Sequence, residues 1–138
     1  MGDIVRKVSY CYVVVPSRVG QGAKVLGGLK DVGVNMVGYS GFPTSGGKAQ
    51  LDLVTQSVAT LRRLAKRHGW KLSKAKKGFW IQGPDKVGAV HRHIKRLADT
   101  GISVTAASAV SAGKNRYGML LWVKQRDYAR AARALRAR

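Results

Sequence analysis

The chain is 138 residues long, which suits one ordinary domain or two very small ones. Hydrophobic residues make up 45% of it, enough for a packed core and too many for global disorder, and no run of about twenty apolar residues is present to span a membrane. Lys and Arg total 26 against 6 acids, all of them Asp, for a net charge of +20. That balance favours an anionic partner (nucleic acid, acidic lipid or a charged metabolite) and does not inform the fold. Cys11 is the only cysteine, so neither an intramolecular disulfide nor a thiolate metal cluster can form. The start, Gly2-Asp3-Ile4-Val5-Arg6-Lys7, has no apolar block or small-residue cleavage site, and a cytoplasmic location is expected.

In chain order, residues 8–15 form a β-rich run that ends in the turn Pro16-Ser17-Arg18-Val19-Gly20. A helix follows on Val25, Leu29 and Val32, weakened by Gly27 and Gly28 and stopped at Gly33. Val34 and Met36 alternate with Asn35 as a second strand. The turn Thr44-Ser45-Gly46-Gly47 leads to a third strand over residues 49–55, then a helix on Val58, Leu61 and Ala65. A short strand near Trp70-Lys71-Leu72 closes this first stretch. The order then starts again. Residues 79–82 are a strand, and Gly83-Pro84-Asp85-Lys86-Val87-Gly88 a turn in which Asp85 is placed to cap the next helix. Val87, Val90, Ile94 and Leu97 mark one face of that helix, and Gly101 ends it. Ile102, Val104 and Ala106 alternate as a strand, Ala112-Gly113-Lys114-Asn115 turns, residues 117–123 return, and Tyr128, Ala131 and Leu135 line a last helix.

The second series is a copy of the first. Pro16, Val19, Gly20, Leu29, Asp31, Gly33, Ser40 and Leu53 fall without a gap on Pro84, Val87, Gly88, Leu97, Asp99, Gly101, Ser108 and Leu121, at a constant offset of 68. The order β-α-β-β-α-β is the ferredoxin-like unit. The expected fold class is therefore α+β: two tandem repeats over residues 1–75 and 76–138, each with an antiparallel sheet and helices on one face. The second repeat ends too early for its own fourth strand, which is expected to be short, missing or lent by a neighbour. Strand 1 (Tyr10 to Val15) is apolar on both faces, so the face away from the helices is expected to be covered by another subunit.

These motifs resemble the ACT domain family: a first strand, an Asp-x-Pro-Gly-like loop, a helix, then a Gly-Ile/Val-Asn/Ser step into strand 2. The second repeat shows Asp85-Lys86-Val87-Gly88-Ala89 and Gly101-Ile102-Ser103-Val104; the first shows Ser17-Arg18-Val19-Gly20-Gln21 and Gly33-Val34-Asn35-Met36. The chain departs from the family at Val19 and Val87, where Pro is usual, at Ser17 in place of Asp, and in its charge. The resemblance implies a small regulatory module without catalytic activity or cofactor. It implies an amino acid or related metabolite bound between the strand 1–helix 1 loop of one repeat and strand 2 of another, and a homo-oligomer, a dimer by expectation. The candidate ligand residues are Ser17, Arg18, Val19, Gly20, Gln21, Asn35 and Met36 in the first repeat, and Asp85, Lys86, Val87, Gly88, Ala89, Ser103 and Val104 in the second. Helix-start N–H groups beside Gly20 and Gly88 suit a carboxylate. Asn35 or Ser103 suits the ligand's polar groups, Asp85 an ammonium, and Arg18 and Lys86 further negative charge.

Other constellations are weaker. His91 and His93 point apart on a helix, and with His68 they read as surface side chains rather than metal ligands. With 3 His, a single Cys and no Glu, no nucleophile–base pair stands out, and no phosphate-binding glycine motif is present. Nucleic-acid binding is the main alternative. The basic excess is larger in residues 69–138, and Tyr10, Tyr12, Trp80, Tyr117 and Trp122 lie on strands 1 and 3, where RNA-recognition modules stack bases. Against it, Arg116-Tyr117-Gly118-Met119-Leu120-Leu121-Trp122-Val123 lacks the required pattern, and the aromatics interleave with aliphatics as in a buried sheet. An interaction subunit that only assembles is a third reading.

Overall fold

A run of β-branched and aromatic residues keeps the first strand extended for 13 residues, β1 (Ile4–Pro16), until proline removes the next donor. The computed structural model describes residues 2–138. The elements continue as α1 (Gln21–Asp31), β2 (Gly38–Thr44), β3 (Lys48–Val54), α2 (Val58–His68), β4 (Lys76–Pro84), α3 (Ala89–Asp99), β5 (Val104–Gly113), β6 (Arg116–Val123), a 3₁₀ turn over Gln125–Asp127 and α4 (Tyr128–Leu135). The class is α+β, and the pairings β1–β3, β2–β3, β4–β6 and β5–β6 are all antiparallel. Among the described residues no helix is long and apolar enough to cross a membrane.

The chain divides into two units, Ser9–Lys76, and Met1–Val8 with Lys77–Arg138. In the Ser9–Lys76 unit the strands run in the order β2-β3-β1. The odd-numbered residues Cys11 and Val13 of β1 and Leu51 and Leu53 of β3 face the helices. They form one core with Val25 and Leu29 of α1 and Leu61 and Leu64 of α2. Ser57 caps α2, its side chain accepting from the Thr60 N–H at 3.2 Å. The predicted short strand near Leu72 is a single antiparallel bridge to Val13. On the opposite face, Val14 is 43% exposed and Asp52 is buried at 9%, its carboxylate accepting from Gln50 Nε2 at 2.9 Å. Burial pushes the Asp52 carboxyl above its ordinary value, partly offset by that hydrogen bond and by the Lys76 charge.

In the second unit the order is β4-β6-β5, with the first residues of β1 beside β4. Here lies the strand that the repeat pattern lacked: Val5 joins the core made by Phe79, Ile81, Leu97, Met119, Leu121, Tyr128 and Leu135. The chain's own N-terminal stretch therefore fills the place. Arg138 fastens to it, donating its N–H to Val5 O and accepting from the Lys7 N–H, both at 2.9 Å.

The β1–β3 and β4–β6 pairings recur at an offset of 68. Cys11 pairs with Leu53, Val13 with Leu51 and Pro16 with Lys48; Phe79 pairs with Leu121, Ile81 with Met119 and Pro84 with Arg116. α1 and α3 begin and end 68 residues apart. Two expectations are corrected. Val34, Asn35 and Met36 precede β2, which starts only at Gly38, and Ile102 likewise precedes β5, which starts at Val104. Gly33 N–H returns to Lys30 O and Val34 N–H to Leu29 O, so the helix exit, not a strand, takes the hydrogen bond of Val34. Asp85 does not cap α3; Gly88 holds that position in a left-handed conformation, with no side-chain cap.

Candidate functional site

The turns before α1 and α3 are built alike. Ser17 N–H donates to Gly47 O at 2.9 Å and Asp85 N–H to Asn115 O at 2.7 Å, tying each loop to the hairpin turn of its own unit. Gly20 and Gly88 then start the helices at φ +90 and +82, a left-handed conformation that side chains disfavour. Lys24 N–H returns to Gly20 O and Arg92 N–H to Gly88 O. Neither helix has an acid of its own in its first turn to offset the positive end of its dipole. A Cβ at Gly88 would meet nothing within 4 Å. Gly88→Ala is thus expected to destabilise through conformation alone, by about 1 kcal/mol, read as a lower urea midpoint.

Each loop borders a cavity within its own unit. In the unit that contains α3 it measures about 320 Å³; the loop and helix contribute Asp85, Lys86, Gly88, Ala89, Val90 and His91, and the sheet Ala109, Val110, Ser111 and Tyr117. In the Ser9–Lys76 unit it measures about 280 Å³, between Ser17, Arg18, Val19, Gln21 and Gly22 on one side and Val15, Pro16, Ala49 and Leu51 on the other. Of the sequence-derived candidates, the structure brings Ser17, Arg18, Val19 and Gln21 to one cavity and Asp85, Lys86, Gly88 and Ala89 to the other. Gly20 is the helix start beside the first. Val87 is the fully exposed tip of its loop, as Val19 is in the other. Asn35 is exposed and Met36 half-buried against the core, both ahead of β2. Ser103 is exposed ahead of β5, and Val104 opens that strand while packing on the core. None of these four lines either cavity.

The sheet side was missed by the motif. Ala109, Val110 and Ser111 come from the far end of β5, and Tyr117 from β6. Tyr117 sits over a buried polar cluster. Its hydroxyl donates to Asp3 Oδ2 in a short hydrogen bond. His93 Nε2 donates to the same oxygen at 2.6 Å, and Arg92 Nη2 lies 2.6 Å from Asp3 Oδ1. His93 is only 2% exposed, so its reading as a surface side chain is corrected: α3 turns it inward, to a carboxylate 90 residues away. His68, by contrast, stacks on Trp70 at 4.9 Å, and His91 is exposed. Burial alone would raise the Asp3 carboxyl. Hydrogen bonds from Tyr117, His93 and Arg92, with the Arg92 charge, hold it below its ordinary value. Burial, then Asp3, push the Tyr117 hydroxyl upward, so it remains a donor at neutral pH. A Cβ on Gly83 would collide with the Asp3 carboxylate, so glycine there is what admits the cluster.

No family model matches the chain, and no curated protein matches it. Solved structures do match in fold. Protein BT0572 from Bacteroides thetaiotaomicron superposes with a TM-score of 0.78 at 13% identity, covering 97% of this chain and 88% of that one. The ligand-free regulatory subunit of aspartate kinase from Thermus thermophilus gives 0.66 at 14% identity, over 99% and 95%. The corresponding subunit from Thermus flavus gives 0.59 at 15%, again over 99% and 95%.

Proposed function

We propose that this chain, whose fold is that of the ACT-domain proteins, is a non-catalytic regulatory module that binds an amino acid or related small metabolite. In this reading it consists of two tandem ACT-like repeats, acts in the cytoplasm as a homo-oligomer, a dimer first of all, and uses the loops before α1 and α3 as its ligand sites. The observation that carries the reading is the recurrence of one constellation in both units: a left-handed glycine, a helix start without an acid, a basic residue and a cavity of small-molecule size. The similarity to regulatory subunits of aspartate kinase supports a regulatory role over a catalytic one.

The chemistry divides in a simple way. Helix-start N–H groups beside Gly88, with Lys86, suit the ligand's carboxylate, and Asp85 suits its ammonium. Ala109, Val110 and the Tyr117 ring offer apolar surface to its side chain. In the other unit Arg18 and Gln21 supply polar contacts, and Val15, Ala49 and Leu51 the apolar wall. Val19 and Val87 stand fully exposed at the loop tips and Val110 is 69% exposed. A second copy laid against the loop would cover them, which supports a ligand held between copies. Asn35 and Ser103 would then contribute from the neighbouring copy, as the family arrangement implies.

A thermal-shift screen of the purified chain against the common amino acids tests this. A ligand at a hundred times its Kd adds about 2.7 kcal/mol, a rise of several degrees for a chain of this size. The response should disappear in a Gly88→Val variant whose circular dichroism is unchanged. A folded variant of unchanged affinity would remove the loop as the site, and no response to any amino acid would favour an assembly-only subunit.

A further inference from the structure

α2 spends its apolar residues on the core and its outer face on positive charge. Leu61, Leu64 and Ala65 are buried, while Arg62, Arg63, Lys66 and Arg67 are exposed, and the helix contains no acid. Arg62 and Lys66 are four apart, as are Arg63 and Arg67, the spacing at which like charges destabilise a helix. The helix dipole accounts for Lys66 and Arg67 in the last turn, but not for Arg62 and Arg63. α1, which shares the core with α2, adds exposed Lys24 and Lys30 and a single acid, Asp31. The ion pairs found among the described residues are those of Asp3, Asp99 and Asp127, none with a cation on α1 or α2. The helix layer of the Ser9–Lys76 unit thus presents a basic face that its own acids do not neutralise.

We propose that this face docks a double-stranded nucleic acid, gripped through its phosphates without regard to sequence. Charge complementarity chooses an anionic polymer, and the rest of the face chooses the kind. A bilayer needs apolar side chains to bury, and those of α2 are already in the core. A single strand needs a series of aromatic platforms, whereas Trp70 packs on the core and stacks with His68, leaving the one half-exposed ring of Tyr39 beside α1. A duplex asks only for cations against a dense row of phosphates, and arginine meets that geometry best. The proposal does not depend on the ligand reading above. It also moves the nucleic-acid surface from the sheet aromatics, where the sequence suggested it, to the helices.

The test is fluorescence anisotropy of a labelled 25-base-pair duplex of arbitrary sequence, with the full chain, across a salt series. Binding at low salt should weaken steeply as salt rises. A variant with Arg62→Gln, Arg63→Gln, Lys66→Gln and Arg67→Gln, which keeps good helix formers, should lose at least about tenfold in affinity; its log–log salt slope should fall by roughly 0.9 per lost phosphate contact, about 3–4 in all. Arg62→Gln with Arg63→Gln alone should lower the slope by about 2. A control with Lys114→Gln, Arg116→Gln, Lys124→Gln and Arg126→Gln removes the same formal charge from exposed positions of the other unit, and should keep the wild-type slope to within about one contact. Equal weakening of both variants would show that total charge alone is responsible and overturn the proposal. So would a single-stranded oligonucleotide or phosphatidylserine vesicles binding in preference to the duplex.

Discussion

Asp3→Ala is expected to destabilise the unit containing α3 by about 2–4 kcal/mol, somewhat below the range for breaking a fully buried ion pair because Arg92 is 35% exposed and can regain water. The Asp3 side chain is 4% exposed and serves three groups at once: Arg92 on one oxygen, His93 and Tyr117 on the other. Without it, His93 has no partner on Nε2, and its Nδ1 already has no hydrogen-bond partner in the described structure. The Tyr117 hydroxyl would lose its shortest partner and keep Ala89 O, at 3.5 Å, and the neighbouring Arg92. Each orphaned buried group costs about 1–3 kcal/mol in lost solvation. Asp3→Asn retains the volume and loses the charge, so its effect should be smaller. Gly83→Ala should approach the larger effect from the other side, because the added carbon takes the space of the carboxylate. Urea unfolding followed by circular dichroism measures all three; a loss below about 1 kcal/mol for Asp3→Ala would show that the cluster does not hold the N-terminal stretch in place.

The same cluster sets a pH signature. The folded Asp3 carboxyl lies below its ordinary value of 3.8. Between the two values the unfolded chain binds the proton more tightly, so the contribution is complete above about pH 4 and is lost as pH falls through the folded value. Tyr117 behaves oppositely: its folded hydroxyl is raised above 10.0, so its share is present below that value and fades as pH rises beyond it. The stability difference between wild type and Asp3→Ala should therefore be flat through neutral pH and shrink at the acid end. A difference that persisted unchanged well below the carboxylate range would place its origin in packing and not in the ionised carboxylate.

Legibility from sequence followed the range of the interactions. Pro16 with Gly20, and Pro84 with Gly88, mark backbone conformations that local sequence dictates, and they located both loops. The offset of 68 carried over from identities to strand register, because alternation with one face buried permits little slippage. Residues 34–36 misled because an alternating apolar pattern also describes a helix exit whose side chains tuck under the core. The Asp3 cluster had no local signal at all. Its members Arg92, His93 and Tyr117 are 89, 90 and 114 residues from Asp3, and the trace in the sequence is that Gly83 stands at the repeat position of Val15, Tyr117 at that of Ala49 and His93 at that of Val25. The strand completing the second unit was missed for a similar reason. β1 is long enough to serve both units, and a repeat read as consecutive blocks assigns it to one.

Phe79→Ala should cost about 3–5 kcal/mol, and Cys11→Ala, at the equivalent repeat position, only about 1 kcal/mol. Both side chains are fully buried and both face a leucine in the same register, Phe79 against Leu121 and Cys11 against Leu53. They differ in what they fill. The Phe79 ring stacks on Tyr128 at 4.6 Å, and the Tyr128 hydroxyl donates to Gly78 O at 2.9 Å, so removing the ring opens a cavity and also loosens a tyrosine fixed at both ends. Burial raises the Tyr128 hydroxyl above its ordinary value, so the hydrogen bond persists through neutral pH. Cys11 gives up one sulfur atom in a wall of leucines and valines, a loss that the core can close around. Hydrogen exchange locates the damage: protection should fall across Lys77–Arg138 in the Phe79 variant while Ser9–Lys76 retains it. Uniform loss over both units would mean that they unfold as one cooperative body; equal costs at the two positions would mean that the shared register, and not the side chain filling it, governs stability.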